Sequence, residues 1–248
     1  MMVDPQWPPT IDLWSVRDQL LAAGLDRPLA DCIGRAGTSQ SCLADLREAA
    51  DSCDALSKLR KSPRGVGKPE REATEMALMA TTCLLYARAT STSGQTGERG
   101  SIQVSKKLDP AQLEDHEAIV AVRNRAFAHV YPNAQVSGVA RHRISVLLVE
   151  QEGGGWMPAA ATNRVQYDRL LHERLIRQLP IALALVKAKC DKRLEQLSQL
   201  LGKSLDDPRV AEIVRSSKID IVTFFGRPSA AAAALNGVVP GGFATFPG

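Results

Sequence analysis

Apolar residues recur every three or four positions along most of this chain, and in one place only do they crowd into a short β-branched run. That contrast constrains the fold more than any other feature of the sequence. In 41–61 the apolar positions are Leu43, Leu46, Ala50, Cys53, Leu56 and Leu59, one stripe of an amphipathic helix. In 69–90 they are Met76, Met79, Ala80, Cys83, Leu84 and Ala87, with Pro69 suited to the first helical turn. A third helix is expected from Asp109, as cap, to about Tyr131, since Pro132 disfavours helical geometry at the residue before it. A long one is expected from a cap at Thr162 or Asn163 to Leu201, with a kink or split at Pro180. Shorter helices are expected over 11–24, 28–34 and 206–217, with Ser39 or Ser41 capping the helix over 41–61.

The exception is 143–150, where Ile144, Val146, Leu147, Leu148 and Val149 read as a strand. Three consecutive glycines, Gly153 to Gly155, supply a turn, and 156–162 is the expected partner strand. Aromatic residues make up only 4% of the 248 residues, which disfavours a large β-sandwich or barrel. The expected fold is therefore mostly α, a helical bundle with one small β-hairpin. Its expected organisation is an N-terminal helical region over 1–62, a helical domain over 69–201 carrying the hairpin 143–162, and a short helix with a low-complexity tail over 202–248.

Charge is nearly balanced, with 31 Lys and Arg against 27 Asp and Glu, so its placement matters more than its sum. Two places stand out. Lys58, Arg60, Lys61, Arg64, Lys68 and Arg71 lie among prolines and glycines, which suits either a solvated linker or an arm that attracts phosphate. From Ala121 to Val149 there is no acid at all, yet this span holds Arg123, Arg125, Arg141, Arg143, His129 and His142. Such a span favours an anionic partner such as a phosphodiester.

Several classes are disfavoured. The five cysteines form no C-x-x-C pair and fit reduced thiols of a cytoplasmic protein better than a disulfide or zinc framework. The first residues lack the basic and apolar regions of a secretion leader, and no apolar run is long enough for a membrane span. Gly202-Lys203-Ser204 lacks the earlier glycine of a nucleotide-binding loop. His116-Glu117 and His172-Glu173 begin zinc-protease motifs that Val120 and Ile176 leave unfinished, and no G-x-S-x-G marks a hydrolase serine.

The stretch from Asp115 to His129 holds the most chemistry. Arg123-Asn124, four residues, then His129 resembles the signature of HEPN domains, an Arg followed by a polar residue and a His a few positions on. Ala128-His129 closing the motif, His116 seven residues before Arg123, and Tyr86-Ala87-Arg88 near the end of the preceding helix strengthen the likeness, which covers about 70–200. The resemblance implies a helical bundle and, in many members, a metal-independent ribonuclease of toxin–antitoxin, abortive-infection or other antiviral defence systems. It implies an active site where two motifs meet across a homodimer, RNA as substrate, no cofactor, and an antitoxin or defence-system protein as a further partner. Arg123, Asn124 and His129 would be catalytic, while Arg125, His116, Tyr86 and Arg88 would bind substrate. A non-catalytic module of the same kind, binding RNA, a nucleotide or a protein, is the alternative, and a helical scaffold without ligand is a third reading.

The residue chemistry suits cleavage. RNA carries its own nucleophile in the 2′-hydroxyl, a histidine can move the proton, and the arginine fork can neutralise charge on the phosphate. Asn124 would bond substrate or orient His129. At about 100° per residue, however, Arg123 and His129 stand about 120° apart on a regular helix. His116 and Arg123 share a face, as do Arg125 and His129. A break before Pro132, or a second copy, is needed to bring Arg123 and His129 together. His142 and His172 read as structural or exposed.

Overall fold

The structure is a computed structural model that describes residues 10–63, 69–91, 99–127, 135–136, 139–140, 142–164, 167–229 and 231–232. Among these residues it is mostly helical with small antiparallel sheets, as expected. The elements are α1 (Leu13–Ala22), α2 (Arg27–Lys61), α3 (Pro69–Thr90), a 3-10 turn (Ser105–Lys107), α4 (Pro110–Val122) and a π-helical turn (Arg123–Phe127). Then come β1 (Gln135–Val136), β2 (Val139–Ala140), β3 (His142–Glu150), β4 (Trp156–Arg164), α5 (Arg169–Ser204), α6 (Pro208–Ser216) and α7 (Ile221–Phe225). No described helix is long and apolar enough to cross a membrane. All five cysteines are free and buried.

The chain forms two compact units, Met1–Ser39 with Ala188–Gly248, and Gln40–Lys187. These boundaries fall inside α2 and α5.

In the first unit Val16 and Leu20 of α1 pack on Leu29, Ala30, Ile33 and Ala36 of α2, with Leu197 of α5 and Val210 of α6. The lead into α1 is tied to the segment after α6. Asp12 N–H donates to the Ser217 carbonyl (2.8 Å), and Ile219 N–H to the Thr10 carbonyl (3.0 Å). Here the sequence misleads in one respect: the expected helices over 28–34 and 41–61 are one continuous helix of 35 residues. Gly37 does not end a helix. Its bare Cα admits the Trp14 ring, since an added Cβ would stand 2.4 Å from Trp14 Cζ2. Ser39 does not cap either; its hydroxyl bonds back to the Ala36 carbonyl at 2.8 Å, a compromise available to serine inside a helix.

In the second unit Leu43, Leu46, Ala49, Cys53 and Leu56 of α2 are buried, and Asp45 with Arg88 and Ser57 with His172 tie this helix to α3 and α5. On α3 the buried face holds Met79, Cys83, Leu85 and Tyr86, while Leu84, expected inside, is 36% exposed. The α4 start follows expectation. Asp109 accepts from Gln112 N–H and Gln112 reaches back to Asp109 N–H, a reciprocal cap. Its end does not, because the α-helix stops at Val122 and opens into the π turn. The hairpin pairs His142 with Arg164 through Glu150 with Trp156, antiparallel. Gly153 and Gly154 sit at φ 114° and 90° in its turn, a region open chiefly to glycine. Because β4 runs on to Arg164, Thr162 and Asn163 are strand residues and Asp168 caps α5 instead, accepting from Leu171 N–H at 3.0 Å. Pro180 does not split α5, which runs unbroken for 36 residues; buried Leu171, Leu175, Leu179, Ala182 and Val186 hold it across the missing hydrogen bond.

Candidate functional site

The motif lies where α4 changes pitch. Asp115, His116, Ile119 and Val122 form the buried face of α4, and the π turn that follows packs against α3 and α4. A π turn bonds each N–H five residues back instead of four, and such turns occur frequently at functional sites. Arg123 N–H caps α4 through the Ile119 and Val120 carbonyls. Its guanidinium is half-buried: Nη1 donates to Asn124 Oδ1 at 2.9 Å, while Nε is buried with no hydrogen-bond partner among the described residues. Asn124 and Arg125 are exposed. His129 lies outside the described residues, as do Arg141 and Pro132, and the side chain of His142 is likewise not described.

His116 and Tyr86 are brought together. Tyr86 Oη and His116 Nδ1 stand 2.8 Å apart, with the rings edge to face at 5.7 Å. Both are buried, His116 at 5% and Tyr86 at 0% exposure. Burial pushes the Tyr86 hydroxyl well above its ordinary range, against the opposing pull of Gln178 and Thr90. Burial also lowers the His116 pKa, with Glu117 pulling the other way. The pair is therefore a neutral phenol against a neutral imidazole, since desolvation penalises either charged form. Gln178 of α5 is fully buried beside this pair, its amide near enough to the Tyr86 hydroxyl to oppose the effect of burial there, while its polar atoms lack well-formed hydrogen bonds among the described residues.

Next along α4, Asp115 receives a two-pronged Arg177 (Nε to Oδ2 2.9 Å, Nη2 to Oδ1 3.0 Å) and an ion pair from Arg174 at 3.2 Å. Carboxylate oxygens held by two guanidiniums fix α4 to α5 on one side of His116. Arg88 goes elsewhere. It lies two residues past Tyr86 on α3, on the far side of the helix, and its fork is engaged by Asp45, which also binds Arg99. The described geometry thus joins Tyr86 to His116 and Arg123 to Asn124, and gives Arg88 to a separate ion cluster.

Sequence reasoning passed over a further network around His172, which is buried and hydrogen-bonded at both ring nitrogens. Nε2 is 3.1 Å from Ser57 Oγ and Nδ1 is 3.0 Å from Tyr167 Oη. Burial lowers its pKa, partly offset by the Cys53 backbone. The Arg60 guanidinium covers the Tyr167 ring at 4.1 Å and binds Glu75 through Nη1 at 3.0 Å. Arg71 also binds Glu75, and its Nη1 and Nη2 donate to carbonyls of Pro63, Ser62 and Leu59 at the end of α2. Arg60 and Arg71, two of the six basic residues behind reading 58–71 as a phosphate arm, are thereby committed to Glu75 and the helix end. Among the described residues, no group of three or more His, Cys, Asp or Glu is placed to hold a metal ion. In comparisons with known proteins, no family model, no curated protein and no solved structure matches the chain.

Proposed function

We propose that the chain is a HEPN-type endoribonuclease acting as a homodimer, with Arg123, Asn124 and His129 at its reacting centre. The observation that carries the reading is the state of Arg123. A π turn holds it at the end of α4, Asn124 engages Nη1, and the buried Nε has no partner among the described residues. A buried donor left unpaired costs about 1–3 kcal/mol, and a phosphate oxygen would satisfy it. From Ala121 to Val149 the sequence around it holds no Asp or Glu.

In this mechanism a histidine removes the 2′-hydroxyl proton as that oxygen attacks the adjacent phosphorus. The P–O5′ bond breaks, the 5′-oxygen takes up a proton, and a 2′,3′-cyclic phosphate remains. Arg123 neutralises charge gathering on the non-bridging oxygens, and His129 carries the proton. His116 is buried with Nδ1 on Tyr86, so it supports Arg123 from behind, seven residues back along the chain, while Arg125, two residues on from Arg123, lies at the surface. A role in defence or as a toxin, a restraining protein partner and a cytoplasmic location belong to the same reading.

The test is cleavage of RNA in EDTA, followed on a gel, with His129→Ala and Arg123→Ala beside the unaltered chain. General acid–base catalysis contributes ~10²–10⁴-fold, so His129→Ala should lose at least about a hundredfold in rate and retain RNA affinity. Equal cleavage by mutant and parent ends the proposal. Salt-sensitive RNA binding without cleavage selects the non-catalytic binding module instead.

A further inference from the structure

Ser57 lies near the end of α2, about one helical turn before Arg60 and Lys61, so these three side chains share a face. The buried stripe of α2 passes through Cys53 and Leu56, and Ser57 sits half-buried at its edge. Its Oγ stands 3.1 Å from His172 Nε2, and His172 Nδ1 stands 3.0 Å from Tyr167 Oη. The imidazole is buried, while the hydroxyls at either end of this chain of bonds belong to half-buried residues that reach toward the surface. A hydroxyl on an imidazole whose other nitrogen is held by a third group is the arrangement that activates a nucleophile.

The state of the imidazole suits a base. Burial lowers its pKa, the Cys53 backbone resists, and the charges of Arg60 and Glu173 oppose one another. At neutral pH the ring is therefore uncharged and one of its nitrogens carries a lone pair. With the ring proton assigned to Nδ1, Tyr167 Oη accepts it, and Nε2 is left to take the Ser57 hydroxyl proton. The last turn of a helix carries partial negative charge, which would oppose an oxyanion forming there. Lys58, Arg60 and Lys61 offset it in α2. Arg60 is held by Glu75 and by the Tyr167 ring, whereas Lys61 is exposed, four residues on from Ser57.

We propose that Ser57 is a nucleophile toward esters of short carboxylic acids, with His172 as its base and Tyr167 as the residue that positions the imidazole. Ser57 Oγ attacks the ester carbon as His172 Nε2 takes the hydroxyl proton, and Lys61 faces the charge that gathers on the carbonyl oxygen. The bond to the alcohol oxygen breaks, and that oxygen takes the proton from Nε2, which leaves Ser57 acylated. Water then gives a proton to Nε2 and attacks the same carbon. The bond to Ser57 Oγ breaks, Oγ recovers the proton, and the free acid departs. A half-buried hydroxyl has room for a small acyl group only. The proposal rests on the contact between α2 and α5 and stands independently of the nuclease reading.

The test follows the reaction of the full chain with diisopropyl fluorophosphate by intact mass and peptide mapping, with helical circular dichroism as the check on folding. In this reaction the Ser57 Oγ–P bond forms, fluoride leaves, and the hydroxyl proton passes to the imidazole and then to buffer. One adduct on Ser57 is expected, absent in Ser57→Ala and formed at least about a hundredfold more slowly in His172→Gln, the usual contribution of a general base. Tyr167→Phe keeps the ring under Arg60 and removes only the hydroxyl, so labelling should slow about two- to tenfold, as the loss of one hydrogen bond implies. The rate should be level above about pH 7, where the imidazole is already neutral, and should fall as pH drops below about 6.5. p-Nitrophenyl acetate should release p-nitrophenolate in a burst equal to the protein present. An unlabelled Ser57, labelling no faster than in the urea-unfolded chain, an undiminished rate in both His172→Gln and Tyr167→Phe, or the lack of a burst overturns the proposal and leaves Ser57–His172 as a tie between helices.

Discussion

Replacing Gln178 by methionine should stabilise the protein. Gln178 is fully buried on α5, and its polar atoms lack well-formed hydrogen bonds among the described residues. In the unfolded chain both ends are hydrated, and each unmade bond costs about 1–3 kcal/mol on folding. Methionine has nearly the same length and volume, so the packing against α3 and α4 is kept and no cavity opens. One end of the amide lies close enough to the Tyr86 hydroxyl to act on its titration, so only the other end is counted, and its low-end cost gives a gain of about 1 kcal/mol. At about 2–4 °C per kcal/mol for a chain of this size, the melting temperature should rise by about 2–4 °C. Urea unfolding should show a higher midpoint with an unchanged slope. A loss of stability of 1 kcal/mol or more would refute the reasoning, because it would mean that the amide has partners in solution. The companion change, Tyr86→Phe, works in the opposite direction, since it deprives buried His116 Nδ1 of its one hydrogen bond, at a cost of about 1–3 kcal/mol.

Acid should weaken the fold in two stages. His116 and His172 both have lowered pKa values, chiefly through burial, so the unfolded chain binds protons below about 6.5 that the folded chain refuses. Their contribution is complete above that pH and is lost as pH falls below it. The Glu75 pKa is also lowered: burial opposes this, and hydrogen bonds and charge from Arg71 and Arg60 outweigh it. Its contribution is present above about 4.5 and is lost on further acidification. Urea midpoints between pH 4 and 8 test both stages, and a flat profile from 7 to 5 would contradict the first. Burial and Asp54 raise the Cys53 thiol to about 11, so a thiol reagent at pH 8 should label Cys53 only after unfolding. Gly37→Ala should push the Trp14 ring off α2, costing about 1–3 kcal/mol by overpacking and shifting tryptophan emission to the red.

Local chemistry was legible in the sequence and tertiary chemistry was not. Asp109-Pro110 announced the start of α4, and the β-branched run with three glycines announced the hairpin, because caps and turns are encoded within a few residues. The continuity of α2 was hidden. Gly34, Gly37 and Ser39 resemble helix breaks until Trp14 and Arg17 are seen pressing on the glycines. Pro180 misled for a similar reason, since buried leucines on both sides keep α5 whole. Arg123 and Asn124 stand side by side in the sequence, but no residue type marks the π turn in which they sit. Tyr86 and His116 were each named as candidates, but nothing in their spacing announced that they pair. Gln178 and the Ser57–His172–Tyr167 network were missed because their partners come from distant helices and leave no spacing to detect.

The central claim concerns phosphodiester chemistry at Arg123 and His129. It is tested most directly with an oligoribonucleotide in EDTA, comparing an all-ribose strand with one carrying a single 2′-deoxy sugar at the cut position. The account predicts a 2′,3′-cyclic phosphate product from the first, none from the second, and loss of the product in His129→Ala. Cleavage that ignores the missing 2′-hydroxyl, or that persists undiminished without the His129 imidazole, contradicts it.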